Sequence, residues 1–269
     1  MPTPDSFSFA ELTAAQLAQI KRLLLEKQAR DSEKLFVLEG AKPIRELLRS
    51  HSPAIQTLVV TQPWLDTCDP ALRRSLDSQP LRLCRNTLFE KLSDTTTSQG
   101  ILAVLTKPAW DQAEIFKRPQ VLGIHGECLQ DPTNVGTIIR TATAFGLDAL
   151  WLTADSADPF NPKIVRATAG TLLKLPIFTA HDASAFATHG CAMLAADASG
   201  KRTKRLDEIA SIPAKSVIAL GNESRGLSKA TLDQAAIRFH IPINQDVESL
   251  NVAASAAIAA YHFSRLPRE

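Results

Sequence analysis

Apolar residues recur at Leu17, Ile20, Leu23 and Leu24, the spacing of one helix face, with Lys21, Arg22 and Lys27 lying off that stripe. Thr13-Ala14-Ala15-Gln16 in front of it has capping-box form, so the pattern predicts a basic amphipathic helix starting there. Short apolar runs follow at Leu35–Leu38, Leu58–Val60, Leu81–Leu83 and Ile101–Leu105, alternating with helical stretches over Pro43–Arg49 and Ala71–Leu76. A small α/β unit over residues 15–108 is the expectation.

The stretch from Lys107-Pro108-Ala109-Trp110 through Arg118-Pro119 is polar and punctuated by proline, which marks a domain boundary. Six apolar strand candidates come after it, in a second unit placed at residues 118–265: Val121–His125, Ala149–Thr153, Leu175–Phe178, Ala192–Ala195, Val217–Leu220 and Ile237–Ile243. Helical patterns lie between most of them, notably Val135–Phe145, closed by Gly146, and Ile164–Leu173. Such alternation predicts an α/β domain with a mainly parallel sheet and helices on both faces. In sheets of this kind ligands gather at the carboxyl ends of the strands.

Composition narrows the class. The 269 residues are 45% hydrophobic and 22% charged, which is globular and neither disordered nor collagen-like. A formal charge of +2 does not by itself point to nucleic acid, so any basic surface must be local. Two stretches qualify: residues 21–49, with eight basic and five acidic side chains, and Lys201-Arg202-Thr203-Lys204-Arg205. Cys68, Cys84, Cys128 and Cys191 show no CxxC spacing, and His51, His125, His181, His189, His240 and His262 have no ligand spacing, so no metal site and no disulfide framework is expected. Met1–Asp5 has no signal-peptide character and no run approaches the ~18 apolar residues of a membrane span. Cytoplasmic location without a membrane partner is the expectation.

Three loops carry candidate chemistry. In Asp131-Pro132-Thr133-Asn134-Val135-Gly136-Thr137-Ile138-Ile139-Arg140, Asn134 reads as the helix N-cap. Val135, Ile138, Ile139, Ala142 and Phe145 form a buried stripe, which leaves Arg140 on the polar face. Leu220-Gly221-Asn222-Glu223-Ser224-Arg225-Gly226-Leu227-Ser228 sets two glycines around a carboxylate, permitting a sharp loop. Ile241-Pro242-Ile243 leads through Ser249, a candidate N-cap, and Asn251 into an alanine-rich helix. Taken alone, the first loop reads more readily as a cap with a solvated arginine and the second as a surface turn, while the third leads into an alanine-rich helix suited to packing in a core or dimer interface.

In this order and spacing the three resemble the signature motifs of the SpoU, or TrmH-type, branch of the SPOUT RNA methyltransferases. Upstream, Leu35-Phe36-Val37-Leu38-Glu39-Gly40, Lys91-Leu92-Ser93-Asp94 and Ser98-Gln99-Gly100-Ile101 resemble the L30e-like substrate-binding domain that precedes many such catalytic domains. The resemblance implies methyl transfer from S-adenosyl-L-methionine to RNA, usually to a ribose 2′-hydroxyl of rRNA or tRNA, by a homodimer whose C-terminal segment forms a trefoil knot. It implies a reactive cluster of Asn134, Arg140, Glu223, Ser249 and Asn251, and a cofactor held around Ala195, Leu220, Gly221, Ile241, Pro242 and Leu250. RNA contact falls to Lys21, Arg22, Lys27, Arg30, Lys201 and Arg202, whose charges would meet phosphates. Methylation of a base, or RNA binding without turnover, are the alternative readings at this point.

Overall fold

In the computed structural model, which describes residues 9–49, 55–76, 78–93, 98–199 and 202–269, the chain divides into two units. The first comprises the described residues up to Pro108 together with Phe160–Gly170, and the second comprises Ala109–Pro159 and Thr171–Glu269. Residues 160–170, assigned by sequence to the second unit, therefore group with the first. The Phe160 ring lies 5.0 Å from that of Phe36, with Lys107 Nζ 4.8 Å above it. His51, Asp94 and Lys201 lie outside the described residues.

The first unit runs α1 (Ala14–Leu25), α2 (Lys27–Glu33), β1 (Leu35–Glu39), α3 (Ala41–Arg49), β2 (Ile55–Thr61), α4 (Gln62–Thr67), α5 (Pro70–Leu76), β3 (Leu81–Cys84), α6 (Asn86–Phe89) and β4 (Ile101–Thr106). Its sheet has the order β1-β4-β2-β3, with β4 antiparallel to both neighbours and β2 parallel to β3. The capping box at Thr13 and Gln16 forms as the sequence predicts. The basic helix does not continue past Leu25, because Glu26 is extended (φ −112°, ψ 117°) and separates α1 from α2. Ile20, Leu23, Val37, Val59 and Leu102 share one buried cluster, so the α1 stripe packs on the sheet.

The second unit contains α7 (Gln112–Phe116), β5 (Val121–Gly126), α8 (Pro132–Ala144), β6 (Leu150–Leu152), β7 (Ile177–Phe178), α10 (Ala185–Thr188), β8 (Ala192–Ala196), β9 (Lys204–Arg205), β10 (Lys215–Leu220), α11 (Lys229–Asp233), β11 (Ile237–His240) and α12 (Val252–Arg265), while α9 (Pro162–Ala167) belongs to the first unit. The sheet order is β7-β6-β5-β10-β8-β11-β9, and every pairing is parallel. After β5 the chain builds outward through β6 and β7, then returns to the far side of β10. The switch point falls between β5 and β10, the place where a doubly wound sheet opens a crevice.

Several local expectations change. Asp131, not Asn134, caps α8: its Oδ1 accepts from Thr133 N at 2.8 Å and Pro132 takes the first helical position, where no N–H is needed. The pattern over Ile164–Leu173 is two pieces, α9 and a 3-10 turn at Thr171–Lys174, because Ala169 (φ 49°) and Gly170 (φ 89°) are left-handed. Strand β11 stops at His240, since Pro242 has no N–H to give a ladder. Phe145 is 37% exposed instead of joining the buried stripe. The edge strand β9, inside the basic run, went unread, being too short and charged for an apolar signal.

Candidate active site

Parallel pairing sets Gly126 and Leu220 opposite each other at the carboxyl ends of β5 and β10. The segment that follows each strand therefore starts from the same edge, and the first and second candidate loops meet. Glu127 N donates to Leu220 O at 2.9 Å. The Glu127 carboxylate then accepts from Ser228 N at 2.8 Å and from the Thr231 hydroxyl, fastening the far end of the second loop. Sequence reading missed Glu127, which falls between motifs and carries no pattern of its own.

The second loop folds back on itself: Asn222 N donates to Gly226 O at 3.1 Å and Gly226 N donates to Asn222 O at 2.9 Å. Asn222 Oδ1 accepts from Ser224 N and Arg225 N, and its Nδ2 donates to Cys128 O at 2.9 Å. Asn222 thus organises the loop and ties it to the first, a role its backbone-like amide suits. Gly226 sits at φ +67°. A Cβ on Gly221 would come within 2.1 Å of Gly226 C, so this glycine is required by closure of the loop itself.

Asn251, not Ser249, caps α12, its Oδ1 accepting from Ala253 N at 2.8 Å and Ala254 N at 3.4 Å. With its oxygen committed to the helix, the Asn251 Nδ2 turns outward and donates to Asn134 Oδ1 at 3.0 Å. Asn134 must then present its own Nδ2 on the other side, and this donates to Glu223 Oε1 at 2.9 Å. The helix cap therefore fixes the direction of the whole relay, Asn251 to Asn134 to Glu223, with no amide free to flip. Asn134 is 5% exposed, whereas Glu223 is exposed and can meet a ligand.

Asn251 and Glu223, the two ends of the relay, line a 510 Å³ cleft together with Leu220, Gly221, Leu250 and Ala198, among others, while Asn134 lies behind its wall. A 290 Å³ cavity lined by Ile241, Pro242 and Phe239 shares Ala196, Asp197, Ser249 and Leu250 with it. Leu220, Gly221, Ile241, Pro242, Ser249 and Leu250 are thus brought together as the sequence reading has them. Ala195 is not on the wall: it is 0% exposed in the hydrophobic cluster with Val217 and Ala219, and Ala196 faces the cavity in its place. The strand alternation of side chains accounts for the one-residue displacement.

Arg140 is exposed on α8, lines neither cavity and, among the described residues, makes no hydrogen bond or ion pair. Among the described residues, no hydrogen bond or ion pair joins it to Glu223, whose Oε1 accepts from Asn134.

The expected RNA contacts divide. Lys21 and Lys27 are exposed, but Arg22 pairs with Glu33 at 2.8 Å. Arg30 is 2% exposed and donates to Leu23 O at 2.7 Å, which makes it a structural tie between α1 and α2 and removes it as a phosphate contact. Arg202 is exposed (φ 57°), and Arg205 pairs with Asp207 at 2.9 Å.

No group of three His, Cys, Asp or Glu that could hold a metal ion occurs among the described residues, and no described helix is long and apolar enough to cross a membrane. His125 is fully buried beside His181 and Phe186, and among the described residues neither ring nitrogen has a partner; burial pushes its pKa down to about 4.

A wholly parallel sheet with an amide–carboxylate relay beside a cleft at its switch point defines an α/β protein of the doubly wound kind. The SpoU rRNA Methylase family profile matches residues 124–261, and the MRM3-like substrate binding domain profile matches residues 16–103. The chain belongs to the SpoU rRNA methylase family. It is 31% identical to an uncharacterised tRNA/rRNA methyltransferase of Synechocystis sp., over 97% of this chain and 96% of that one. It is 28% identical to the 23S rRNA (guanosine(2553)-2'-O)-methyltransferase RlmP of Bacillus subtilis, over 94% of this chain and 98% of that one. Among solved structures, the SpoU methyltransferase AviRb from Streptomyces viridochromogenes in complex with AdoMet superposes with a TM-score of 0.81 at 25% identity, covering 94% of this chain and 98% of that one.

Proposed function

We propose that this protein transfers a methyl group from S-adenosyl-L-methionine to a ribose 2′-oxygen of ribosomal RNA. The observation that carries the reading is the directed relay from Asn251 through Asn134 to Glu223 at the wall of a cleft of cofactor size. The similarity to RlmP, named for 2'-O-methylation of 23S rRNA, and to AviRb with AdoMet bound supports it.

The donor set fits the cofactor. Leu220, Leu227 and Leu250 give apolar wall for a flat base, and Asp197, Glu223 and Ser249 give acceptors for hydroxyl, ammonium and sulfonium groups. Leu220, Gly221, Ile241, Pro242 and Leu250 would hold it. When bound, it supplies a methyl carbon already made electrophilic by the attached sulfonium.

The chain's task is to align the attacking oxygen and receive its proton. Glu223, steadied by Asn134, is the acceptor group nearest that task, with Ser249 on the same wall. A guanidinium with a pKa above ~12 is a poor base, so Arg140, which lies outside the cleft wall of its own protomer, serves by holding an RNA phosphate and, where the bound RNA brings the reacting ribose to it, by stabilising the developing alkoxide. The reading includes a homodimer, a C-terminal trefoil knot and cytoplasmic location. Ile258, Tyr261 and Phe145, 40%, 53% and 37% exposed on α12 and at the end of α8, supply an apolar face for a second copy.

The test is transfer of radiolabelled methyl from S-adenosyl-L-methionine to rRNA and tRNA pools from cells lacking this protein, with the product mapped for ribose methylation. Label at a 2′-oxygen of rRNA is the expected result. Label on a base, or none despite cofactor binding, would replace the reading with a base-directed or a binding-only one.

A further inference from the structure

The basic residues that sequence assigns to RNA contact on α1 and α2 are partly spent within the fold, Arg30 on Leu23 O and Arg22 on Glu33. Lys21 is free of such ties. It stands with Lys91 and Lys163 at a 510 Å³ cleft in the first unit, whose apolar wall includes Leu24, Leu25 and Pro162. All three lysines are exposed, and among the described residues none has an ion-pair or hydrogen-bond partner for its ammonium group. Leu25, at 82%, is the most exposed large apolar side chain among the described residues.

The cleft sets three cationic groups beside an exposed apolar side chain. Both features are met by one kind of ligand, a polyanion that carries flat apolar faces. Unpaired RNA has that chemistry: phosphates suit lysine as a point charge, and a splayed base packs on an apolar side chain where a paired one is out of reach.

We propose that this cleft grips an unpaired segment of the substrate RNA, with phosphates on Lys21, Lys91 and Lys163 and a base against Leu25. The inference rests on the RNA methyltransferase reading and adds where the RNA is held. Lys21 and Lys91 fall within the 16–103 match to a substrate binding domain, while Lys163 lies outside it and arrives through the 160–170 segment that groups with the first unit. No sequence run could have joined the three.

The experiment uses the full chain and a fluorescein-labelled oligouridylate, with its dissociation constant measured across a salt series. Release of counterions makes each lysine–phosphate contact worth about fourfold in affinity at roughly 0.15 M salt. The triple variant Lys21→Gln, Lys91→Gln, Lys163→Gln should therefore bind about 50-fold more weakly and lose about 2 from the log–log salt slope, with S-adenosyl-L-methionine binding unchanged. Leu25→Ser should weaken binding about fivefold or more and leave the slope as in the wild type. A wild type that binds and methylates RNA while the triple variant keeps both its affinity and its slope overturns this proposal alone. A wild type that neither binds nor methylates RNA overturns the activity reading with it. Capture of phosphatidylserine vesicles by the wild type but not the triple variant, with RNA affinity equal in both, makes the cleft a membrane contact and also overturns the proposal.

Discussion

Asn134 donates to Glu223 at 2.9 Å across 89 residues of chain, and it does so in one direction only, because Asn251 has spent its oxygen on the cap of α12 and points its amide nitrogen at Asn134 Oδ1. A helix cap thereby orients a carboxylate on another loop. The relay can be broken at its centre without touching the cap.

Asn134→Ala leaves Asn251 Nδ2 and Glu223 Oε1 without their shared partner. A stability loss of about 1–3 kcal/mol by denaturant unfolding is expected, with methyl transfer down about 100-fold. Asn134→Asp should be worse for turnover, because a second carboxylate then faces Glu223. Single-turnover rates equal to wild type in both variants would remove the relay from the mechanism.

Arg140 is exposed and has no hydrogen-bond or ion-pair partner among the described residues, so Arg140→Ala should change stability by no more than about 0.5 kcal/mol. Its single-turnover rate should nonetheless fall about 100-fold or more if the guanidinium meets phosphate and alkoxide. Full retention of that rate ends its assignment.

Gly221→Ala forces a methyl group into the backbone of Gly226 and Leu227, at 2.1 Å and 2.2 Å. The loop must open, and with it the wall of the cleft. Calorimetric titration should show S-adenosyl-L-methionine affinity lowered about tenfold or more, while Gly226→Ala, strained only by its φ of +67°, should cost about 1–2 kcal/mol in stability.

His125 is held neutral in the fold, with burial the main cause and the neighbouring His181 adding to it, and its pKa falls from 6.5 to about 4. The unfolded chain accepts a proton in that window that the folded chain refuses, so stability is full above pH 6.5 and is lost as pH falls towards 4, at about 1.4 kcal/mol per unit. His181 is shifted downward too, again by burial first, and acts with the same sign. Taking unfolding free energies from pH 7.5 to 5, the wild type should lose about 2 kcal/mol more than His125→Leu does.

Ile258 and Tyr261 lie one turn apart on the open side of α12. Ile258→Asp with Tyr261→Asp should sediment as a monomer where the wild type sediments as a dimer. A wild type that is monomeric at micromolar concentration would refute the dimer.

Much of this was legible in the sequence for one reason: it depends on neighbours a few residues apart. The Thr13–Gln16 cap, the alternation of strands and helices and the three loops at strand ends are local patterns, and local energies set them. Which residue caps each helix was less legible, because Asp131 and Asn134, or Ser249 and Asn251, are all good capping side chains and only the helix's entry point chooses between them. The remainder was decided by tertiary packing. Register between β5 and β10 joins Asn134 to Glu223; a left-handed pair at Ala169 and Gly170 ends the segment that joins the first unit and carries Lys163 to Lys21 and Lys91; burial converts Arg30 from a surface charge into an internal tie. Sequence spacing determines which face of an element is apolar, but which distant element meets that face is fixed only when the whole sheet has closed its order.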